Sequence, residues 1–270
     1  MTFRLTTWNV NSLKVRLPHL LDWLARVKPD AVCLQETKTE DAGFPLIELQ
    51  AAGYQAVYCG QKAYNGVAIL ARSMPQEVQH GIANFPDDPK RVIAATVNDL
   101  RVVCLYAPNG QAPGSDKYAY KLRWYDALTA WLKQELDQYP NLAVLGDLNV
   151  APEDRDVHDP KRWAGQIHVS EPERAALRSV VDVGLRDAFR LFDQPEKEFS
   201  WWDYRLAAFQ RNWGCASTTS CSRRSLQSAA PPVPSTRRLA SLNGPPTTLR
   251  SSLTFNSKHG TRALDRAIRI

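Results

Sequence analysis

Four apolar segments of this chain end in side chains that carry oxygen. Trp8-Asn9-Val10-Asn11 closes the first and Leu34-Gln35-Glu36-Thr37 the second. Leu105-Tyr106-Ala107-Pro108-Asn109 and Leu145-Gly146-Asp147-Leu148-Asn149 close two more. If these segments are strands lying side by side, Asn9, Glu36, Tyr106, Asp147 and Asn149 meet at one rim. Two carboxylates and two amide oxygens make a hard-oxygen site, the kind that holds Mg²⁺ while leaving water on it. One carboxylate can then hold the metal while the other takes a proton from water. A single Asn or Asp at a strand end is ordinarily a turn former or helix cap, and a lone Tyr there ordinarily packs. The recurrence at four ends is what points to chemistry.

The elements that must position these residues are legible from periodicity. Phe3 to Val10, Asp30 to Gln35, Tyr54 to Cys59, Gly66 to Leu70, Arg91 to Val97, Arg101 to Tyr106 and Leu142 to Gly146 read as short strands bounded by turn residues. Leu17, Leu20, Leu21 and Leu24 repeat at helical spacing, with Pro18 expected near the helix start, where its missing N–H is harmless. A longer helix is predicted from about Lys117 to Gln138, with Leu128, Trp131, Leu132 and Leu136 on one face. A third begins at Ser170, which forms a capping box with Glu173, and stops at Gly184. Strands with interspersed helices and hairpins predict a layered α/β domain, less regular than a doubly wound array.

Composition narrows the class. No apolar run approaches the ~20 residues that span a bilayer, and the segment from Met1 to Leu5 lacks a signal peptide's regions. A cytoplasmic protein without membrane partners is expected. Of the five cysteines, Cys33 and Cys104 fall inside apolar strand patterns, the usual setting of a small buried thiol. The formal charge is +6, yet nine of the 34 basic side chains and one of the 28 acidic ones lie from Cys215 onward. The first 214 residues therefore carry a net charge of −2, so any nucleic-acid surface in the body is a local patch. Residues 215–257 hold ten serines and five prolines without a period, the composition of a disordered basic tail. The expected division is a domain over residues 1–214 and an aberrant tail over 215–270.

Trp-Asn-Val-Asn-Ser-Leu-Lys-x-Arg from Trp8, Leu-Gln-Glu-Thr-Lys from Leu34 and Tyr64-Asn65-Gly66-Val67-Ala68-Ile69 resemble the exonuclease III family of the endonuclease/exonuclease/phosphatase superfamily. So do Tyr106-x-Pro-Asn-Gly, Gly146-Asp147-Leu148-Asn149-Val150-Ala151-Pro152 and Phe199-Ser200-Trp201-Trp202-Asp203-Tyr204-Arg205. The resemblance covers residues 1–214 in order. It implies a four-layered α/β sandwich, two β-sheets flanked by helices and incomplete at the C-terminus. It also implies a monomer that removes 3′ nucleotides from duplex DNA and incises abasic sites, using Mg²⁺ or Mn²⁺. Carried over by position, Glu36 is the chief metal carboxylate with Asn9 beside it, and Asp147 and Asn149 complete the metal site. Asp147 activates water, Asn149 orients the water or the phosphate, and Tyr106 hydrogen-bonds the scissile phosphate. Trp201 and Arg205 contact the nucleotide or abasic sugar, and Asn65, Lys62, Lys117 and Lys121 are candidate DNA-backbone contacts. A superfamily relative acting on lipid or RNA phosphates, and a DNA-binding remnant without catalysis, are the competing expectations.

The chain departs from that family after Gly214. Members carry Leu-Arg-Ile-Asp-His-Ile-Leu-Leu soon after the tryptophan segment and Ser-Asp-His-Ala-Pro-Val-Val near the C-terminus, and neither is present. His259 stands outside any such motif and is assigned no role. Codons for Cys215 to Ser222, shifted by one base, permit the first motif, and codons for Asn243 to Ser252 permit the second in the same frame. The tail thus reads as out-of-frame translation, and impaired stability and activity are expected of this polypeptide.

Overall fold

The computed structural model describes residues 2–85, 89–191, 199–202, 214–216, 218–223, 251–256, 263–264 and 268–269. Two mixed sheets stack face to face. One runs through β1 (Thr2–Asn9), β2 (Ala31–Gln35), β4 (Val67–Ala71) and β3 (Gln55–Cys59), with β13 (Ser251–Asn256) on the other side of β1 and β14 (Ala263–Leu264) and β15 (Ile268–Arg269) beyond it. The other is ordered β5 (Gln76–His80), β6 (Val92–Val97), β7 (Leu100–Tyr106), β8 (Leu142–Asp147), β12 (Thr218–Arg223) and β9 (Leu185–Asp187). A two-stranded ribbon pairs β10 (Trp201–Trp202) with β11 (Gly214–Cys215).

The strand alternation sorts side chains into three apolar layers. Between the sheets lie Leu5, Cys33, Val67, Ile69, Ile93, Val102, Cys104 and Leu145. Outside the first sheet, Trp8, Val32, Leu34 and Leu70 meet helix α1 (Leu13–Val27) through Leu20, Trp23 and Leu24, and meet Leu49 of α2 (Leu46–Ala51). Outside the second, Val103, Leu105 and Val144 meet Trp124, Leu128 and Leu132 of α3 (Asp116–Gln138), and Leu177 and Val180 of α5 (Glu171–Asp182), which follows the short α4 (Pro160–Trp163). Helix, sheet, sheet, helix is the expected four-layered sandwich. Strands buried on both faces explain the near-continuous apolar runs, such as Ala-Val-Cys-Leu in β2.

Two expectations need correction. Pro18 is not near the start of α1 but at its sixth position, because the helix begins earlier, at Leu13. The start is set by tertiary hydrogen bonds: the N–H groups of Ser12 and Leu13 donate to the carbonyls of Glu36 and Thr37 at 2.8 and 2.9 Å. Nor is the chain after Gly214 wholly outside the fold. Thr218–Arg223 pairs antiparallel with both β8 and β9, and Ser251–Asn256 pairs antiparallel with β1. Without them β1 and β8 would each present a bare edge. Ladder hydrogen bonds come from the backbone, so a Thr- and Ser-rich segment without proline can supply them.

Candidate active site

β1, β2, β7 and β8 carry the site residues at their C-terminal ends. β1 runs parallel to β2 with Asn9 opposite Gln35, and β7 runs parallel to β8 with Tyr106 opposite Asp147. The site therefore lies across the two sheets. Gly146 fits the second pair closely: a Cβ there would stand 1.9 Å from the Leu105 carbonyl oxygen of β7. Only glycine lets β8 approach at that point and turn Asp147 to the rim.

Asn9 joins the halves. Its buried side-chain N–H₂ donates to Glu36 Oε1 at 2.7 Å and to Asp147 Oδ2 at 3.0 Å. The two carboxylates, expected together from the sequence, thus share a single donor. The Asn9 oxygen accepts from the Asn11 N–H at 3.0 Å. Glu36 follows β2 in a left-handed conformation, φ 52°, which a non-glycine residue adopts at a cost. Its other oxygen, Oε2, meets the Lys38 ammonium at 2.9 Å. Lys38 also donates to the Asn11 side chain.

Tyr106 reaches the same point from β7. Burial pushes its hydroxyl well above the usual phenol range, the charges of Glu36 and Asp147 push it further, and Arg91 opposes them. A hydrogen bond to Glu36 adds to the rise, and the Arg91 guanidinium lies 5.2 Å from the ring centroid. Tyr106 therefore stays a proton donor. Asn149, buried and left-handed at φ 51°, donates its backbone N–H to Asp147 Oδ1 at 3.1 Å and its amide to the Ala107 carbonyl at 2.8 Å. Asn9, Glu36, Tyr106, Asp147 and Asn149 are thus brought together.

The substrate residues fare differently. Asn65 follows Tyr64 in the loop before β4, and its carbonyl accepts from the Lys38 N–H at 3.0 Å, so it borders the site. Lys62 and Lys117 are exposed. Trp201 is in β10, and Arg205 falls outside the described residues. Lys121 contradicts its expected role as a DNA-backbone contact. It is fully buried, with its ammonium bonded to Glu173 Oε1 at 2.5 Å, the Asn149 carbonyl at 2.6 Å and the Asn109 carbonyl at 3.1 Å. No phosphate can reach it there. Burial lowers its pKa, and the charges of Glu173 and Asp147 resist that fall.

Sequence reading missed the shell behind Asn149. The nearer ring nitrogen of His168, Nδ1, lies 2.6 Å from the Asn149 carbonyl, which can only accept. Nδ1 therefore carries the proton, and Nε2 accepts from the Asn109 amide at 3.3 Å. Burial holds the ring neutral by pulling its pKa down to about 4, helped by the neighbouring Lys121 charge. Glu173 caps α5 as foreseen, accepting from the Ser170 hydroxyl at 2.6 Å, and also takes the Lys121 charge. The capping box was the signal that placed Glu173; its second bond has no local signature.

Among the described residues no group of three or more His, Cys, Asp and Glu gathers as a metal cluster. The Asn9 amide turns its N–H₂ to the two carboxylates and its oxygen to the Asn11 N–H, so the carboxylates of Glu36, partly open to solvent, and Asp147 are the groups that could hold a divalent cation, with water completing its sphere. No helix among the described residues is long and apolar enough to cross a membrane.

Residues 6–267 match the endonuclease/exonuclease/phosphatase family. The chain is 32% identical over 222 residues to exodeoxyribonuclease III of Haemophilus influenzae, covering 77% of this chain and 83% of that protein. A 3′–5′ exonuclease (NExo) from Neisseria meningitidis superposes with a TM-score of 0.81 at 44% identity, covering 83% of this chain and 88% of the other. An AP endonuclease from Archaeoglobus fulgidus superposes with a TM-score of 0.80 at 34% identity over the same shares. The oxygen-rich rim between two stacked sheets and these likenesses lead to one assignment: the chain belongs to the endonuclease/exonuclease/phosphatase family, in its exonuclease III branch.

Proposed function

We propose that this protein is a DNA repair nuclease that hydrolyses DNA phosphodiesters, acting as a monomer on duplex DNA at 3′ ends and abasic sites. The observation that carries the reading is the Asn9 amide bonded at once to Glu36 and Asp147, which gathers two carboxylates from two sheets at one point. Glu36 and Asp147, with Asn149, are the residues that would hold Mg²⁺ or, in its place, Mn²⁺, while Asn9, expected as a ligand, fixes the two carboxylates through its N–H₂. When bound, the cation supplies positive charge against the phosphoryl oxygens as attack loads them. Asp147 takes the proton of the attacking water, and Asn149 orients that water or the phosphate. Tyr106, held protonated, donates to the scissile phosphate. Asn65, Lys62 and Lys117 meet the DNA backbone, and Trp201 and Arg205 the nucleotide or abasic sugar.

The tail bears on how well this chain performs that reaction. Where the family has an Asp–His pair at the phosphate, the segments from Cys215 and Asn243 supply Ser, Thr, Pro and Arg. The same chain with residues 215–222 and 246–252 replaced by the in-frame family motifs provides the comparison. Both forms are incubated with an abasic duplex in Mg²⁺ and in EDTA. Cleavage by the restored form, abolished by EDTA, is expected, with the unaltered chain at least about tenfold slower. A restored form that binds DNA without cutting it removes the nuclease reading. Equal rates remove the claim of impairment.

A further inference from the structure

We propose that Lys121 is a positioning residue for the catalytic rim: its buried ammonium locks together the two loops that leave β7 after Tyr106 and β8 after Asp147, the second of which carries Asn149. The inference rests on the nuclease reading above only for what the rim does, not for the clamp itself.

An ammonium group has three protons to give, and here each has a destination. One goes to the carbonyl of Asn109, three residues past Tyr106, and one to the carbonyl of Asn149, two residues past Asp147. The third goes to Glu173 at the start of α5. A full charge in a dry interior is costly unless it is paired and hydrogen-bonded, and Glu173 provides the pairing. An apolar residue at position 121 would pack equally well against α5. What it could not do is hold two loop carbonyls at fixed distances from each other. Those carbonyls belong to the segments whose other groups are already committed to the site: the Asn149 N–H faces Asp147 Oδ1 and the Asn149 amide faces the Ala107 carbonyl. Holding the Asn149 carbonyl inward keeps this residue left-handed and its N–H aimed at Asp147.

The surroundings are shaped around this side chain. A Cβ on Gly110, φ 91°, would stand 2.9 Å from Lys121 Cδ and 2.9 Å from Ile167 Cδ1. His168 spans the same gap from the other side, joining the Asn149 carbonyl to the Asn109 amide. Two independent bridges between the same two loops are more than packing requires.

The test uses Lys121→Met and the double variant K121M/E173Q in the full 270-residue chain. The single variant leaves Glu173 buried without its cation and is expected to lower Tm. In the double variant the stranded charge is gone, glutamine retains an acceptor for the α5 cap, and Tm is expected to recover most of the loss. Backbone amide exchange, read by mass spectrometry, is then expected to stay about tenfold faster than in the parent within residues 107–111 and 147–151, and unchanged elsewhere in β7 and β8. In cleavage of an abasic duplex, kcat falls about 10- to 100-fold while KM stays within about threefold. Recovery of Tm together with parental exchange in both loops overturns the proposal. So does acceleration spread evenly through both sheets, which would make the pair merely structural. A parent chain that cuts no DNA shows the impairment expected of its tail, and the exchange pattern alone then decides the clamp.

Discussion

At the scale of single residues, the site depends on charges of the same sign being held together. Glu36 and Asp147 share the Asn9 donor, and Lys38 neutralises the outer Glu36 oxygen. Glu36→Gln and Asp147→Asn are each expected to lower kcat by about 10²- to 10³-fold while Tm moves by less than about 3 °C; steady-state kinetics beside a thermal scan checks both. Asn9, Glu36, Tyr106, Asp147 and Asn149 were readable before the fold because each ends an apolar run; strand adjacency joins β1 to β2 and β7 to β8, and the stacking of the two sheets joins the pairs. Lys121 was not. A lysine in an amphipathic helix reads as solvent-facing, and the carboxylate that permits its burial, Glu173, is 52 residues away. Lys38 and His168 escaped for the same reason: their partners are defined by loops, and loop geometry leaves no period.

At the scale of elements, the seven expected strands and three expected helices are present, and the misreadings fall where pattern gives out. β5 carries Gln-Glu-Val-Gln-His with no buried position and a register irregularity against β6, so it shows no alternation to recognise. The start of α1 is fixed by carbonyls from the loop after β2, which no capping residue announces. Tyr54, leading into β3, ties its hydroxyl to the Pro29 carbonyl at 2.8 Å and is pushed by burial to about 12. The unfolded chain loses this proton near pH 10 while the folded chain keeps it, so stability is present below pH 10 and is lost as pH rises toward 12. Urea titrations are expected to show that loss at up to about 1.4 kcal/mol per pH unit, and Tyr54→Phe to flatten it. The exposed Lys62 and Lys117 lie on separate elements. If both meet phosphates, Lys62→Ala and Lys117→Ala each reduce the slope of log affinity for duplex DNA against log salt by about 1. An unchanged slope identifies a lysine as merely solvated.

At the scale of the whole molecule, the balance turns on the strands after Gly214. β12 and β13 occupy interior places, one between β8 and β9 and the other between β1 and β14. They do so with Ser220, Cys221 and Ser222, and Ser251 and Ser252, at positions where the family motifs set large aliphatic residues. Folding stability is ~5–15 kcal/mol, and each large aliphatic side chain buried contributes ~1.5–3 kcal/mol. Restoring the family motifs is therefore expected to raise Tm by about 10 °C or more, measured by calorimetry in EDTA; an unchanged Tm would mean that backbone pairing alone seals these edges. The sequence misled here because composition describes side chains, and a ladder is built from main chain.

The rim has one more property. Asn9 and Glu36 hang from one sheet, Asp147, Asn149 and Tyr106 from its partner, and at the rim the polar links across the gap are the Asn9 amide to Asp147 and Tyr106 to Glu36. A divalent ion held by both carboxylates would act as a rivet through the sandwich, joining halves whose main cohesion is the apolar layer between them. Prying the sheets apart would then mean ejecting the ion, and its concentration would feed into resistance to unfolding, by RT ln(1 + [M]/Kd). A cofactor so held would double as a fastener of the architecture.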